Sequence, residues 1–313
     1  MAPTLLWVGV GNMGRGMCKN IVEKGQLTSP LLLFNRFTQR AVDLSRESPE
    51  VKVEPVDSLA AAVPRANVIF TCVANDAAVR ELYDTMLGGG GGGLVRRKLF
   101  IECSTIHPET TEPLASQVLA RGGEFVAAPV FGAPDAAEAG QLISVLAGPK
   151  TSIDGARPWF KGVMAGGQID LVDEPCGKAT TLKFLGNTFI FNMVEQLAEA
   201  HVVAEKSGLG TGAVHQLVDA LFPGWYRATS TRMLTGDYHK REEPLFAVDN
   251  ASKDARHAKA FAEAAGAELK MLEVVDAQFT KVKEHRGEAG DMVAVYGDAR
   301  QDAGLEFENG PCP

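Results

Sequence analysis

The chain has 313 residues and a net charge of −8, with 22% charged and 45% hydrophobic residues. This is the composition of an ordinary globular protein, and the length predicts two domains rather than one. The acidic balance argues against a nucleic-acid-binding surface, and no apolar run approaches the roughly 20 residues that a membrane span needs. The cysteines and histidines lack ligand spacing, and the first apolar run begins by Leu5. We therefore expect a cytoplasmic protein with reduced thiols, no metal site and no targeting presequence.

The first predicted strand runs directly into a glycine turn. Gly9, Gly11 and Gly14 have G-x-G-x-x-G spacing and precede a predicted helix over 15–24. The first glycine permits a tight turn, the second lets the backbone approach a pyrophosphate, and the third lets the helix pack close to the strand. The helix N-terminus would point N–H groups and a positive dipole end at the phosphates. Strand, glycine turn and helix together predict a dinucleotide site, whereas the glycines alone would also fit an ordinary turn.

Up to about residue 170, short apolar runs alternate with helical stretches. Further strands are predicted at 31–35, 51–54, 68–73, 99–103, 125–128 and 141–147. Helices are predicted between them at 38–48, 58–63, 77–86 and 108–121. This alternation is typical of a doubly wound parallel sheet.

Six consecutive glycines, Gly88 to Gly93, form a low-complexity stretch. A phosphate-binding loop would need a following Lys-Ser or Lys-Thr pair and a helix, which this stretch lacks. We therefore interpret it as a surface insertion between a helix and a strand.

From about residue 174 the spacing of apolar residues becomes helical. A long helix is predicted over 177–207, and further helices are predicted at 211–221, 247–265 and 269–284. The polar residues from Asp298 onward are predicted to form a loose tail. We therefore predict an α/β protein with an N-terminal Rossmann domain, residues 1–174, and a C-terminal all-α domain, residues 175–313. A long interdomain helix would join the two.

The end of the second predicted strand indicates which dinucleotide binds. An acidic residue there pairs with the ribose hydroxyls of NAD, whereas an arginine accommodates the 2′-phosphate of NADP. This strand ends with Asn35 and Arg36, and the first acid is Asp43, inside the next predicted helix. Arg36 can pair with a phosphate and stack on adenine, and Thr38 and Arg40 are close in sequence. The sequence favours NADP (NADPH) over NAD, and an idle, solvated arginine is the alternative.

Four blocks of sequence and a later pair resemble the patterns of one family. Residues 9–20 resemble the pattern G-x-G-x-M-G-x-x-M-x-x-N, and residues 102–108 resemble D-x-S-T-x-x-P. Residues 127–133 resemble D-A-P-V-S-G-G, and residues 177–187 resemble G-x-G-x-x-x-K-x-x-N-N. Lys253-Asp254 resembles a later K-D pair of the same family. The family is that of the β-hydroxyacid dehydrogenases, which includes 3-hydroxyisobutyrate dehydrogenase and is related to 6-phosphogluconate dehydrogenase. The resemblance extends through about residue 297.

The resemblance implies a role for each matching position. Lys183 matches the catalytic lysine, and Asn187, four residues later on the same helix face, would orient the substrate. The expected substrate-binding residues are Ser104, Phe131, Gly132 and Ala133. The expected cofactor contacts are Gly9, Gly11, Asn12, Met13, Gly14, Asn35, Arg36, Thr38, Val73, Ala74, Thr105 and Lys253. Relatives associate through the helical domain, so a homodimer or higher homo-oligomer is expected, with the apolar faces of residues 247–284 packed across the interface. The alternative is that these faces pack only within the domain.

The chemistry also points to a lysine. Hydride transfer between nicotinamide and an alcohol carbon requires a proton to move on the oxygen. No histidine lies in a motif suited to this, but a lysine can act if burial and nearby positive charge lower its pKa. Lys183 would donate a proton to the carbonyl in reduction and take one from the hydroxyl in oxidation. The alternative is that Lys183 only extends along an amphipathic helix to solvent.

The sequence departs from the family where the substrate is expected. Phe131 replaces the family serine, Ala133 its second glycine and Ala127 its aspartate, while Gly186 and Ala179 stand for an asparagine and a glycine near the lysine. Phe131 removes a hydroxyl and adds apolar bulk. We therefore expect a substrate other than 3-hydroxyisobutyrate, namely a related acid, semialdehyde or carbonyl compound with an apolar portion.

Three functions fit the sequence. The first is an NADP-dependent oxidoreductase that acts on a small β-hydroxy acid or its aldehyde or keto partner, with a lysine as general acid and base. The second is a reductase of a larger carbonyl or imine in secondary metabolism, suggested by Phe131, although the retained lysine argues against the imine-reducing relatives. The third is a catalytically silent dinucleotide-binding scaffold. Lys183, Asn187 and Ser104 argue against the third. The expected partners are a small-molecule substrate and a second copy, with neither nucleic acid nor membrane.

Overall fold

A computed structural model describes residues 3–47, 53–88 and 95–310. The chain divides into two compact units, Met1–Lys183 and Phe184–Pro313. The domain boundary that we predict between residues 174 and 175 is N-terminal to this division and stays a prediction. Of the glycine run, only Gly88 belongs to the described residues, and residues 51 and 52 of the third predicted strand also lie outside them.

The first unit alternates strands and helices. Its strands are β1 (Leu5–Val8), β2 (Leu31–Phe34), β3 (Val53–Pro55), β4 (Val68–Thr71), β5 (Leu99–Glu102), β6 (Glu124–Ala127), β7 (Val130–Phe131), β8 (Leu142–Gly148) and β9 (Ala165–Val172). Its helices are α1 (Asn12–Lys24), α2 (Thr38–Glu47), α3 (Leu59–Ala62), α4 (Asp76–Gly88), α5 (Pro108–Ala120), α6 (Pro134–Ala139), α7 (Lys150–Ala156) and the start of α8 (Gly177–Lys206), with 3₁₀ turns at Val63–Arg65 and Arg157–Trp159.

The sheet confirms the predicted doubly wound fold. Strands pair in parallel in the order β3-β2-β1-β4-β5-β6, so the direction of winding reverses between β1 and β4. Alternate residues of each strand face opposite sides, and both sides are covered: Leu5 and Trp7 belong to one core, Leu6 and Val8 to the other. In such sheets, ligands bind beyond the carboxyl ends of the strands where the winding reverses.

Strands β7 and β9 and helices α6 and α7 are absent from the sequence prediction, whereas β8 corresponds to the strand predicted at 141–147. Strand β8 runs antiparallel to β6 and β7, and β9 pairs with β8. Strand β9 begins Ala-Gly-Gly-Gln and is mostly half-buried or exposed, so it lacks the apolar run that marks a buried strand. The pairing of β9 with β8 supplies the order that its local sequence does not indicate.

The second unit is built from helices. After most of α8 come α9 (Thr211–Leu221), α10 (Trp225–Leu234), α11 (Asp237–Lys240), α12 (Val248–Ala264), α13 (Lys270–Arg286) and α14 (Val295–Asp302), with 3₁₀ turns at Gly287–Ala289 and Met292–Ala294. Its core includes an edge-on pair of rings, Phe191 and Phe279, whose centroids lie 5.3 Å apart. The helical C-terminal region that we predict is therefore confirmed.

The predicted loose tail from Asp298 is wrong for the described residues. Helix α14 continues to Asp302, and Asp298, Arg300 and Phe307 are buried. The Tyr238 hydroxyl donates a hydrogen bond of 2.6 Å to the carbonyl oxygen of Phe307. One apolar side chain anchors a segment whose local composition is polar, which composition alone does not reveal. Residues 311–313 lie outside the described part.

Candidate functional site

The glycine turn closes tightly on itself and on the end of β4. A Cβ built on Gly9, whose φ is +103°, would lie 2.2 Å from the carbonyl oxygen of Cys72, and one on Gly14 would lie 2.2 Å from that of Gly9. A Cβ on Gly11 would meet no protein atom within 4 Å. Gly9 and Gly14 are thus required by backbone packing, whereas Gly11 borders space that a pyrophosphate can use. The buried indole of Trp7, which the sequence did not single out, donates to the Gly9 carbonyl at 2.8 Å.

Helix α1 begins at Asn12, directly after this turn. Gly11 provides no side-chain cap, and the first turn, which includes Met13, contains no acidic residue. The positive end of the helix dipole is therefore not offset by a carboxylate of its own first turn. These features fit the phosphates of a dinucleotide.

The end of β2 is joined to the glycine turn by Asn35. Its side-chain oxygen accepts from the Val10 amide at 2.9 Å, and its amide nitrogen donates to the Phe37 carbonyl at 3.0 Å. Arg36 is exposed, and its guanidinium carbon lies 5.1 Å from the centroid of the Phe37 ring. Thr38, the first residue of α2, is also exposed. The structure thus places Arg36 at the surface beside the turn, and Asn35 positions this strand end.

The loops after β4 and β5 are joined through Ser104. Its hydroxyl oxygen accepts from the Val73 amide at 2.8 Å, and its own amide donates to the Glu102 carboxylate at 2.8 Å. Ser104 is 1% exposed, whereas Ala74 is exposed and Thr105 is half-buried. The structure therefore brings together four of the predicted site residues, Val73, Ala74, Ser104 and Thr105.

Burial raises the pKa values of two side chains in this region, Glu102 and Cys72. It raises the pKa of the Glu102 carboxyl to about 7, opposed by hydrogen bonds from Ser104 and Thr71. It also raises the pKa of the Cys72 thiol to about 12, with the Glu102 charge adding to the increase and the Lys183 charge opposing it. Cys72 is therefore a neutral thiol near neutral pH.

The segment after β6 brings Phe131 to the lysine. Lys183 is 8% exposed, and its Nζ atom lies 4.4 Å from the centroid of the Phe131 ring. Gly132 has a φ of +147°, and a Cβ there would lie 2.3 Å from the Leu142 side chain. Ala133, with a φ of −93°, directly precedes α6. An aromatic face thus occupies the position next to the lysine ammonium where the family pattern has a serine.

The start of α8 is held by a carboxylate that the sequence did not indicate. The Gly177 amide donates to the Glu112 carboxylate at 2.6 Å, and the Thr180 hydroxyl donates to the Gly177 carbonyl at 2.9 Å. A Cβ on Gly177 would lie 2.9 Å from the same Glu112 oxygen. Glu112, on α5, therefore anchors the first turn of the helix that carries Lys183.

In the second unit, Asp254 joins two of the predicted residues. The Asn187 side-chain nitrogen donates to Asp254 at 2.8 Å, and the Lys253 Nζ atom lies 3.2 Å from the other Asp254 oxygen. Asn187 and Asp254 are each 2% exposed. Asp254 appears in the sequence only as the second member of a family pair, and its hydrogen bond to Asn187 is visible only in the structure.

Residues 3–47, 53–88 and 95–310 contain no group of three or more histidine, cysteine, aspartate or glutamate residues that could hold a metal ion. They also contain no helix with the length and apolar character that crossing a membrane demands.

Two family models match the chain. Residues 4–173 match the NAD binding domain of 6-phosphogluconate dehydrogenase, and residues 177–298 match the NAD-binding region of NADP-dependent 3-hydroxyisobutyrate dehydrogenase. The chain belongs to the β-hydroxyacid dehydrogenase family. As a member of that family it is an NAD(P)-dependent oxidoreductase of the 3-hydroxyisobutyrate dehydrogenase type. The resemblance identified from the sequence motifs is confirmed.

The solved structures share the fold, and individual relatives differ in the nucleotide they name. The NADH-dependent oxidoreductase ucdB of Aspergillus ustus is 34% identical over 94% of this chain and 98% of its own. The 3-hydroxyisobutyrate dehydrogenase of Mycobacterium tuberculosis, solved with L-serine, has a TM-score of 0.78 at 23% identity over 96% and 100% of the two chains. Psf3, solved with NADP+ and 2-OPP, has a TM-score of 0.81 at 22% identity over 94% and 99%.

Proposed function

We propose that this β-hydroxyacid dehydrogenase uses NADP to interconvert a small β-hydroxy acid and its aldehyde or keto partner, with Lys183 as general acid and base. The observation that carries the proposal is the placement of Lys183. It is a buried lysine at the start of α8, with its ammonium 4.4 Å from the centre of an aromatic ring. A buried amine beside a substrate carbonyl is suited to proton transfer.

Different residues of the chain bind the cofactor, bind the substrate and transfer the proton. NADP supplies or accepts the hydride when it is bound. The turn from Gly9 to Gly14 and the N-terminus of α1 hold the pyrophosphate. Lys183 donates a proton to the carbonyl oxygen in reduction and removes one from the hydroxyl in oxidation. Asn187, held by Asp254, orients the substrate, and Ser104 with the backbone at Gly132 contacts its carboxylate.

The experiment that tests the mechanism replaces Lys183 with methionine. We expect kcat to fall by roughly 10²- to 10⁴-fold, the usual contribution of a general acid or base, while NADPH binding is retained. Lys178→Met is the matched control, because Lys178 lies on the same helix, is exposed and pairs with Glu174 at 2.5 Å. Undiminished turnover by Lys183→Met would exclude the lysine mechanism.

The preference for NADP is proposed from Arg36. Arg36 is exposed at the end of β2. The first acidic residue beyond it is Asp43, whose carboxylate accepts a hydrogen bond of 2.7 Å from the Gln39 side chain within α2. Loss of one charged hydrogen bond, about 1.5–3 kcal/mol, predicts that Arg36→Ala lowers the NADPH-to-NADH ratio of kcat/KM by roughly 10- to 100-fold. Arg46→Ala, at an exposed position later on α2, should leave the ratio unchanged. Equal use of NADH and NADPH by the wild type would exclude the preference.

The substrate is proposed to carry an apolar portion. The Phe131 ring lies where a serine would offer a hydroxyl, and Ala133 adds a methyl group in place of a glycine hydrogen. The same aromatic face favours the second candidate, a reductase of a larger carbonyl or imine. Nicotinamide absorbance with a panel of hydroxy acids, aldehydes, ketones and imines separates these candidates. NADPH binding without turnover of any member would instead indicate a silent dinucleotide-binding scaffold.

A homodimer through the helical unit is proposed from exposed apolar residues. Leu217, Leu221, Phe222 and Trp225, on and between α9 and α10, are each at least 42% exposed. Within residues 247–284, the exposed large apolar side chains are Met271 and Val274. Clusters of exposed apolar side chains mark association surfaces. Analytical ultracentrifugation of the wild type and of Leu221→Asp tests this proposal, and a wild-type monomer would exclude it.

A further inference from the structure

Glu102 is a buried carboxylate to which the proposed mechanism assigns no task. It is the last residue of β5, directly after Leu99, Phe100 and Ile101, and it is 1% exposed. Burying a carboxylate is costly unless hydrogen-bond donors surround it. Its position at the carboxyl end of a central strand, rather than on the surface, calls for a compensating set of contacts.

Those contacts join the ends of two neighbouring strands. One Glu102 oxygen accepts from the Ser104 amide at 2.8 Å, and the other is hydrogen-bonded by the Thr71 hydroxyl. Thr71 is the last residue of β4 and stands opposite Glu102 in the parallel register. The Ser104 hydroxyl oxygen in turn accepts from the Val73 amide at 2.8 Å. Thr71, Glu102, Ser104 and Val73 thus form a ring of hydrogen bonds and chain segments, which we call the strand-end ring.

A second connection lies farther along the same loops. One Asp76 oxygen, at the start of α4, accepts from the His107 amide at 2.8 Å and from the Thr110 hydroxyl at 2.6 Å, both at the start of α5. The two helix starts are therefore held by Asp76, and the strand ends by Glu102. The two chain segments between these connections contain Ala74, which is exposed, and Thr105, which is half-buried.

We propose that Glu102 is a positioning residue, which holds the loops after β4 and β5 in the arrangement that receives the nicotinamide half of the cofactor. This inference rests on the proposed function, since the family resemblance implies that Val73, Ala74 and Thr105 contact the nicotinamide half of the cofactor. Glu102 acts through Ser104 and Thr71, because it lies behind the loops and is itself buried. The glycine turn follows β1 and packs against Cys72, whose amide donates to the Val8 carbonyl of β1 and not to Glu102. We therefore expect binding of the adenosine and pyrophosphate parts to depend little on Glu102.

The test compares two ligands on two variants. The first ligand is NADPH, and the second is 2′,5′-ADP, which carries the adenosine and phosphate part but no nicotinamide. Glu102→Ala removes both acceptor oxygens, and we expect it to weaken NADPH binding at least tenfold while the Kd of 2′,5′-ADP changes less than twofold. Glu102→Gln retains one acceptor for the Ser104 amide and a donor for Thr71, and should recover most of the NADPH affinity.

A second measurement uses the protein without cofactor. The Val73 and Ser104 amides are donors within the strand-end ring, so their hydrogen exchange should be faster in Glu102→Ala than in the wild type. The same measurement on Glu102→Gln keeps the inference testable if the alanine variant does not fold. The glutamine variant should then show intermediate exchange at these two amides and unchanged exchange at His107.

Two results would overturn the inference, and they differ from failure of the proposed function. If Glu102→Ala lowers the affinities for NADPH and 2′,5′-ADP equally, Glu102 is only a general structural residue. If amide exchange and NADPH binding match the wild type, the ring positions nothing. A wild type that binds neither ligand would overturn the proposed function, and this inference with it.

Discussion

The glycine turn after β1 and the segment after β6 both follow the carboxyl ends of parallel strands, yet they differ in how closely they match the family pattern. The turn retains Gly9, Gly11 and Gly14, whereas the segment replaces the family serine and second glycine with Phe131 and Ala133. The contacts explain the difference. In the turn, an added Cβ would meet backbone oxygens at 2.2 Å, which cannot move away cheaply.

The segment after β6 follows the same rule residue by residue. Gly132, which is retained, has a φ of +147° and would place a Cβ 2.3 Å from Leu142. Ala133, which replaces a glycine, has an ordinary φ of −93°, and Phe131 directs its ring to Lys183. Gly9, Gly14 and Gly132, where close packing leaves no room for a Cβ, are therefore retained, and positions beside the proposed substrate differ from the family pattern.

The most severe test of this comparison is Gly9→Ala. A methyl group at a positive φ and 2.2 Å from the Cys72 carbonyl oxygen should lower the free energy of unfolding by roughly 3 kcal/mol or more, measured by urea denaturation. Gly11→Ala is the matched control, because its Cβ meets no protein atom within 4 Å. It should fold like the wild type and bind NADPH roughly 10- to 100-fold more weakly. Normal NADPH binding by Gly11→Ala would place the pyrophosphate elsewhere.

A second test asks whether Glu102, beneath the proposed cofactor-binding loops, makes the free energy of unfolding depend on pH, whereas Phe131, beside the proposed substrate, does not. Burial raises the pKa of Glu102 from 4.5 to about 7, so its contribution to stability is fully present below pH 4.5 and is lost as the pH rises through 7. Glu102→Gln should remove up to about 3 kcal/mol of that dependence between these values.

The measurement is urea denaturation at several pH values between 4 and 8, with Phe131→Ser as the comparison variant. His201 changes stability in the opposite sense, because burial lowers its pKa from 6.5 to about 4 and its contribution is lost as the pH falls through that range. A wild type and a Glu102→Gln variant with parallel pH curves would contradict the assignment of the slope to Glu102.

The smallest expected effect comes from Phe131→Ser on the substrate side. It removes the ring beside Lys183, a contact of about 0.5–2 kcal/mol, and restores a hydroxyl. Relative kcat/KM values across a panel of hydroxy acids should shift by roughly 10-fold or more, toward smaller and more polar members. The NADPH Kd should change little. Phe131→Leu, which keeps apolar bulk without the ring, separates size from aromatic character, and an unchanged panel would show that Phe131 does not contact the substrate.

Much of the fold is predictable because its signals are local. Apolar runs such as Leu31–Phe34 and the helical spacing from Gly177 onward indicate the strands and helices at nearly the observed bounds. Strand β9 and the ordered segment around Phe307 escape prediction for one reason. Each is ordered by distant partners, β8 for the first and Tyr238 for the second, and its own composition is polar or glycine-rich.

Some residues of the candidate site could likewise be predicted from the sequence, and others could not. Fixed spacings mark Gly9, Lys183 and Ser104 as candidates, but Glu112 and Asp254 act through partners that are far apart in sequence. Trp7 donates to a carbonyl only two residues away, and no motif marks it. Glu102 lies within a recognisable motif, and nothing in the motif indicates that it joins two strand ends. A hydrogen bond between side chains on different elements depends on topology, which no spacing within one segment encodes.

The need for glycine at the turn after β1 can be read from the amino-acid order, because a tight strand-to-helix turn imposes its backbone requirements on a few adjacent residues. The placement of Phe131 against Lys183, of Glu102 across β4 and β5, and of Asp254 under Asn187 emerges only from the folded chain. These contacts arise from sheet order and helix packing, which bring distant residues together and set the polarity around them. The type of cofactor follows from local geometry, and the features that would select a substrate follow from tertiary contacts.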